Sequence, residues 1–192
     1  MKQNIEQLVN KILRGAKISS PPIKSEILAE SYFDLDFDCV ELNENELAGL
    51  KVAEKKIYLN EGRKDDLAAN FGLKNFTVAH ELGHWVLHRN LIGEHTRQIE
   101  READKFATYL LMPENFVREE FAKINSARPL RCIPAEMKLR MMSDKFCVSR
   151  RAMAIRLSQR ELKLIYVDFK DYSCYRSKEE FLEKTAGQML LL

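Results

Sequence analysis

His80-Glu81-Leu82-Gly83-His84 is the stretch whose residue types and spacing are best suited to chemistry. On a helix, side chains four apart project from one face. His80 and His84 then offer two imidazole nitrogens to one Zn²⁺, with Glu81 beside them as general base. A zinc ion so held would acidify a water and polarise a carbonyl. Glu81 could take that water's proton and pass it to a leaving amine. A catalytic zinc site needs three protein ligands and an open position, so a third ligand must come from elsewhere.

Four residues supply the options. His88 is one turn further on the same helix, where it is poorly placed to complete a tetrahedron, and a packing or supporting role suits it better. His95 follows in a polar connection. Glu100 opens a second helical pattern sixteen residues beyond His84, far enough for a loop and a helical return. Glu102 competes with it but points about 200° around that helix. Glu100 is therefore preferred. Asp104, four residues on, can accept a hydrogen bond from the far nitrogen of a ligating histidine and fix its tautomer. An oxyanion donor is also expected, with Tyr58 and Tyr109 as candidates.

The elements that must position these groups read as follows. At about 100° per residue, His80, Glu81, His84 and His88 share one sector of a helix, while Phe76, Ala79, Leu82, Gly83, Val86 and Leu87 share another. Asn75 or Thr77 is expected to cap its start. From Ile99 to Met112, Ala103, Phe106, Ala107, Leu110 and Leu111 form an apolar stripe that Pro113 ends. Glu100, Ala103, Asp104 and Ala107 share a face whose alanines permit close helix contact. Before the histidines, Phe33–Cys39 alternates apolar and acidic residues as a half-buried strand. Leu47–Ala53 and Lys56–Asn60 read as two more strands joined at Glu54-Lys55. A short helical turn at Leu67–Phe71 is expected to end at Gly72. Helices are expected over residues 3–16 and about 23–31. An extended substrate peptide could add to a free sheet edge, such as that of the 56–60 strand.

At this point a resemblance is evident. Phe76-Thr77-Val78-Ala79-His80-Glu81-Leu82-Gly83-His84-Trp85-Val86-Leu87-His88 resembles the signature of the ImmA/IrrE family of metallopeptidases. Glu100-Arg101-Glu102-Ala103-Asp104-Lys105-Phe106-Ala107, followed by Leu110-Leu111-Met112-Pro113, resembles that family's second motif. The resemblance implies a minimal, gluzincin-like zincin fold with zinc on His80, His84 and Glu100. It implies cleavage of cytosolic regulatory proteins, such as helix-turn-helix repressors of mobile elements or stress genes, or a toxin–antitoxin partner. The fold expected is α+β, a small three-stranded sheet packed against the two ligand-bearing helices. Residues 1–125 would form the peptidase core and 126–192 a helical extension packed on it.

Composition narrows the alternatives. A chain of 192 residues with 45% hydrophobic residues can bury a core, and a net charge of +2 argues against a polyanion-binding protein overall. The charge is uneven, since Lys123–Lys163 holds eleven Lys/Arg against three Asp/Glu. Within it, 135–160 has helix-turn-helix proportions. Ser149 should cap its second helix, and Arg150, Arg151 and Arg156 are candidate DNA contacts. Ser177–Glu180 reads as a capping box that opens a helix running towards Leu190. A rival to the peptidase is thus a DNA-binding or scaffolding regulator with a structural or vestigial zinc site. Cys39, Cys132, Cys147 and Cys174 form no paired motif and are expected to be reduced thiols. With neither a leader pattern nor an apolar run near 18 residues, no membrane association is expected and the location expected is cytoplasmic.

Overall fold

The structure is a computed structural model that describes residues 4–91, 96–127 and 133–189, the last five for backbone alone. His95, Cys132 and the helix end expected at Leu190 lie outside the described residues. The chain divides into two compact units, Met1–Pro113 with Phe146–Val148, and Glu114–Lys145 with Ser149–Leu192. The architecture is α+β and mostly helical, with a small mixed sheet.

The first unit opens with α1 (Ile5–Gly15), whose Asn4 cap accepts from the Glu6 amide. Helix α2 (Ser25–Phe33) follows, and β1 (Asp36–Val40) begins later than the alternation at Phe33 suggests. Asp34 is the reason. It takes the left-handed conformation that ends α2, at φ 55° and ψ 47°, which a short polar side chain tolerates. Strand β2 (Ala48–Lys51) leads through a 3-10 turn at Val52–Glu54 and a left-handed Lys55 into β3 (Lys56–Asn60). The hairpin expected at Glu54-Lys55 is present, with Gly49 opposite Tyr58 and Leu50 opposite Ile57. The sheet order is β1-β3-β2, with β1 parallel to β3. The 56–60 strand is therefore the middle strand and offers no free edge; β1 and β2 are the edges.

Asn60, at the end of β3, is buried and fully engaged. Its Nδ2 donates to the carbonyls of Asn43 and Glu46, and its Oδ1 accepts from the amides of Leu42 and Gly62. One amide side chain so fixes the segment that leads into β2.

After the short α3 (Lys64–Ala69), the histidine helix α4 runs Phe71–Leu87. It starts earlier than Asn75 or Thr77. Asn70 is its cap, accepting from the Leu73 amide at 3.0 Å, and Gly72 lies inside the helix rather than ending the one before. Asn75 is buried and holds the start of α2 instead. It accepts from the Ser25 amide at 2.9 Å and donates to the Ile23 carbonyl at 3.0 Å. These bonds satisfy groups that burial would otherwise penalise by about 1–3 kcal/mol each.

Helix α5 (Arg97–Leu111) packs along α4. Ala103, Phe106, Ala107, Leu110 and Leu111 are fully buried, as the expected stripe requires. At Gly83 the helices nearly touch, since a Cβ there would meet the Ala103 backbone.

The second unit holds α6 (Glu114–Ser126), α7 (Ala135–Phe146, whose last residue groups with the first unit), α8 (Arg150–Ser158), β4 (Tyr166–Val167), β5 (Cys174–Tyr175) and α9 (Lys178–Met189). The β5 strand was not expected. It pairs antiparallel with β4, and Phe181 of α9 packs on Tyr166 and Tyr175. Ser149 and Ser177 cap α8 and α9 as their positions suggest. Cys39, Cys147 and Cys174 are free thiols. Among the described residues no helix is long and apolar enough to cross a membrane.

Candidate metal centre

One helical turn of α4 brings His80 Nε2 and His84 Nε2 to 3.0 Å from each other. Glu100, in the first turn of α5, places Oε2 3.2 Å from His80 Nε2 and Oε1 3.6 Å from His84 Nε2. A tetrahedral ion with bonds of about 2.0–2.1 Å separates its ligand atoms by roughly 3.3–3.4 Å. The observed separations bracket that value, with Glu100 turning one oxygen to each histidine, so the donor set fits a small divalent ion. Among the described residues it is the metal-capable group of His, Cys, Asp or Glu found in the structure.

The surroundings set the tautomers. His80 Nδ1 lies 2.9 Å from Asp104 Oδ1. A carboxylate only accepts, so Nδ1 carries the proton and a neutral ring leaves Nε2 bare for the triangle. Burial is the largest single influence on His80 and pulls its pKa down. The Asp104 hydrogen bond and the charges of Glu81, Asp104 and Glu100 together outweigh it and hold the ring above its ordinary value. His88 stays out of the triangle. Its Nδ1 lies 3.3 Å from His84 Nδ1, on the far side of that ring, and its Nε2 lies 3.2 Å from Glu102 Oε2. Glu102 is thus turned away from the donor triangle, as its helical phase requires, yet finds a partner in His88. That pairing was not anticipated; the pattern that could have shown it is His88 repeating the four-residue interval of His80 and His84.

The triangle opens into a cleft of about 880 Å³. Glu81, His80, His84 and Glu100 line it together, and Glu81 is itself nearly buried. One wall is the 45–50 segment with β2, and Leu73, Phe76, Thr77 and Leu91 add further surface. Phe76, expected in the core stripe, thus faces the cleft. Arg89 is the cation among the described lining residues, with its guanidinium 5.3 Å from the Trp85 ring centre.

Neither tyrosine suggested as an oxyanion donor lines this cleft. The Tyr58 hydroxyl donates to the Glu54 carboxylate, and that bond pushes its pKa up to about 12. Tyr109 lies nine positions beyond Glu100, about 180° around α5, and is buried with Lys105 over its ring.

In the second unit, Arg150 and Arg151 are exposed at the start of α8, and Arg151 stacks over Tyr172 at 4.8 Å. Arg156 is not a surface contact. It is 1% exposed and donates to Gln159 Oε1 at 2.5 Å, because α8 turns it inward with Met153 and Leu157.

No curated protein matches the chain. Among solved structures, a Mycobacterium tuberculosis transcriptional regulator matches with a TM-score of 0.58 and 13% identity, over 90% of this chain. This chain spans 54% of that protein's length, and the likeness speaks to the fold alone. A family model of M78 peptidases, described as the IrrE N-terminal-like domain, matches residues 55–158, which include α4 and α5. That stretch is more than half of the 192 residues, and the chain belongs to the M78 peptidase, IrrE N-terminal-like family.

Proposed function

We propose that the protein is a zinc-dependent endopeptidase that cleaves a cytosolic regulatory protein, such as a helix-turn-helix repressor or a toxin–antitoxin partner. The observation that carries this reading is the triangle of His80, His84 and Glu100, opening with Glu81 into one cleft. The zinc ion supplies Lewis acidity, which lowers the pKa of water and polarises a peptide carbonyl. His80, His84 and Glu100 would hold it, and Asp104 keeps His80 in the tautomer that leaves Nε2 bare. Glu81 accepts the proton of the attacking water on its carboxylate and returns it to the departing amine. An extended substrate adds to β2, the edge strand that walls the cleft, rather than to the central β3. Arg89 also lines the cleft, with its guanidinium over the Trp85 ring.

Substituting Glu81→Gln tests the mechanism. The variant should bind zinc like the parent and lose cleavage of the regulator by 100-fold or more, since general base catalysis is worth about 10²–10⁴. A variant that cleaves undiminished would sink it.

A second reading is supported by exposed Arg150 and Arg151 on α8 and by a structural neighbour titled a transcriptional regulator. In it the chain binds DNA or scaffolds a regulator, and the metal is structural or vestigial. It requires a salt-sensitive DNA mobility shift that Arg150→Ala with Arg151→Ala abolishes. A parent protein that shifts no DNA removes its DNA-binding form.

A further inference from the structure

We propose that His88 and Glu102 are positioning residues that fix the tautomer and ring orientation of His84 through an ordered chain of protons. This rests on the zinc reading of the triangle, and it concerns the histidine that Asp104 does not reach.

The chain follows from two facing pairs of atoms. His84 presents Nε2 to the triangle and Nδ1 to His88 Nδ1 at 3.3 Å. A ligating Nε2 carries no proton, so a neutral His84 carries its proton on Nδ1. His88 Nδ1 must then be the acceptor, which leaves the His88 proton on Nε2. That nitrogen faces Glu102 Oε2 at 3.2 Å, and a carboxylate only accepts. With both rings neutral, this one arrangement gives the His84–His88 and His88–Glu102 pairs a donor and an acceptor each. The opposite order puts a proton on His84 Nε2 and removes it as a ligand. Glu102 is held in turn, because its Oε1 accepts from Gln98 Nε2 at 3.0 Å. His88 is buried, so its ring cannot exchange this contact for water without cost.

The two ligating histidines are therefore supported unequally. His80 meets its carboxylate directly, at 2.9 Å, and His84 meets one through an intervening imidazole. The four-residue repeat of His80, His84 and His88 along α4 is what makes the second arrangement possible. His88 cannot itself join the same ion, because it contacts the nitrogen of His84 that points away from the triangle.

The test uses the full chain, zinc and three variants. His88→Leu fills the space and removes the acceptor. His88→Asn places a carbonyl oxygen where Nδ1 stood. Glu102→Gln keeps the shape and removes the charge. Zinc affinity is measured by competition with a chelator, and the His84 Nδ1–H resonance is read in the ¹⁵N-labelled, zinc-loaded protein. His88→Leu should weaken zinc binding about 10- to 100-fold, as loss of a partner behind a ligating histidine does, and should move the Nδ1–H signal. His88→Asn should bind within a few-fold of the parent and keep that signal shielded from exchange. Glu102→Gln should fall between them. Equal losses in the leucine and asparagine variants would reduce His88 to packing and overturn the proposal. So would a leucine variant with parental affinity and an unmoved signal, or a parent that takes up no zinc. Zinc affinity and the resonance are independent of cleavage, so a failed Glu81→Gln prediction leaves this result standing.

Discussion

A Cβ built on Gly83 would stand 2.9 Å from the Ala103 Cα, 3.1 Å from its carbonyl oxygen and 3.3 Å from its Cβ. Helix α4 therefore touches α5 at the point where neither helix can carry a larger residue. Glu100 and Asp104 flank Ala103 on α5, and His80 and His84 flank Gly83 on α4. Close approach of the two backbones is what lets short side chains span the 2.9–3.6 Å gaps of the site.

Gly83→Ala should accordingly cost stability although alanine is the better helix former. The intrinsic gain is about 1 kcal/mol, and overpacking against backbone costs about 1–3 kcal/mol. The atoms met are backbone, so α5 must shift and carry Glu100 and Asp104 away from the histidines. Zinc affinity should drop by tenfold or more, and thermal unfolding should come several degrees earlier. A raised Tm with parental zinc affinity would show that the contact does not set the site.

That contact also marks how far the sequence could be read. That His80 and His84 share one face, and that Glu100 shares one with Asp104, follows from helical period, which is local. Ala103 and Ala107 on the same face announced a close neighbour. Strand order is not local, and the parallel pairing of β1 with β3 placed β2 on the edge although β3 carries the more buried residues. Asn75 reads as a helix cap because its type suits one, but Ser25, fifty residues earlier, claims its side chain. Glu102 is turned from the donor triangle as its helical phase implies, but its engagement by His88 depends on how the two helices pack.

Asp104 gives the site a pH dependence of known sign. The folded protein holds the His80 pKa above the usual 6.5. In the metal-free protein, the stability gained from protonated His80 is complete below pH 6.5 and is lost as pH rises through the raised value. Zinc binding runs the other way, because protons compete for the ring. Zinc affinity should fall as pH drops, with a midpoint above 6.5. Asp104→Asn should move that midpoint down and lower the high-pH affinity by about 10- to 100-fold. Dye competition across roughly pH 5.5–8.5 measures both, and an unmoved midpoint would refute the coupling.

Tyr58 should titrate late. Its hydrogen bond to Glu54, then burial, puts its pKa at about 12 against the usual 10.0. Its contribution to stability is thus complete below pH 10 and is lost as pH rises through about 12. The difference in ultraviolet titration between the parent and Tyr58→Phe should isolate one phenol ionising near 12. The same variant should leave cleavage within a few-fold of the parent, because Tyr58 does not line the cleft. Loss of cleavage by 100-fold would restore it as an oxyanion donor.

Arg156 separates the structural from the surface cations of α8. Arg150 and Arg151 are exposed, and replacing either with alanine should change stability by less than about 0.5 kcal/mol. Arg156 is 1% exposed with Gln159 at 2.5 Å. Arg156→Ala removes a buried stem and strands the polar groups that met its guanidinium, which together cost about 3–5 kcal/mol. Arg156→Met keeps the volume and should recover part of that loss, since the aliphatic stem does much of the packing. Denaturant unfolding of the parent and the four variants measures the difference. If Arg156→Ala proves as stable as Arg150→Ala, the inward placement of Arg156 is wrong, and the residue returns to the surface that a DNA backbone would meet.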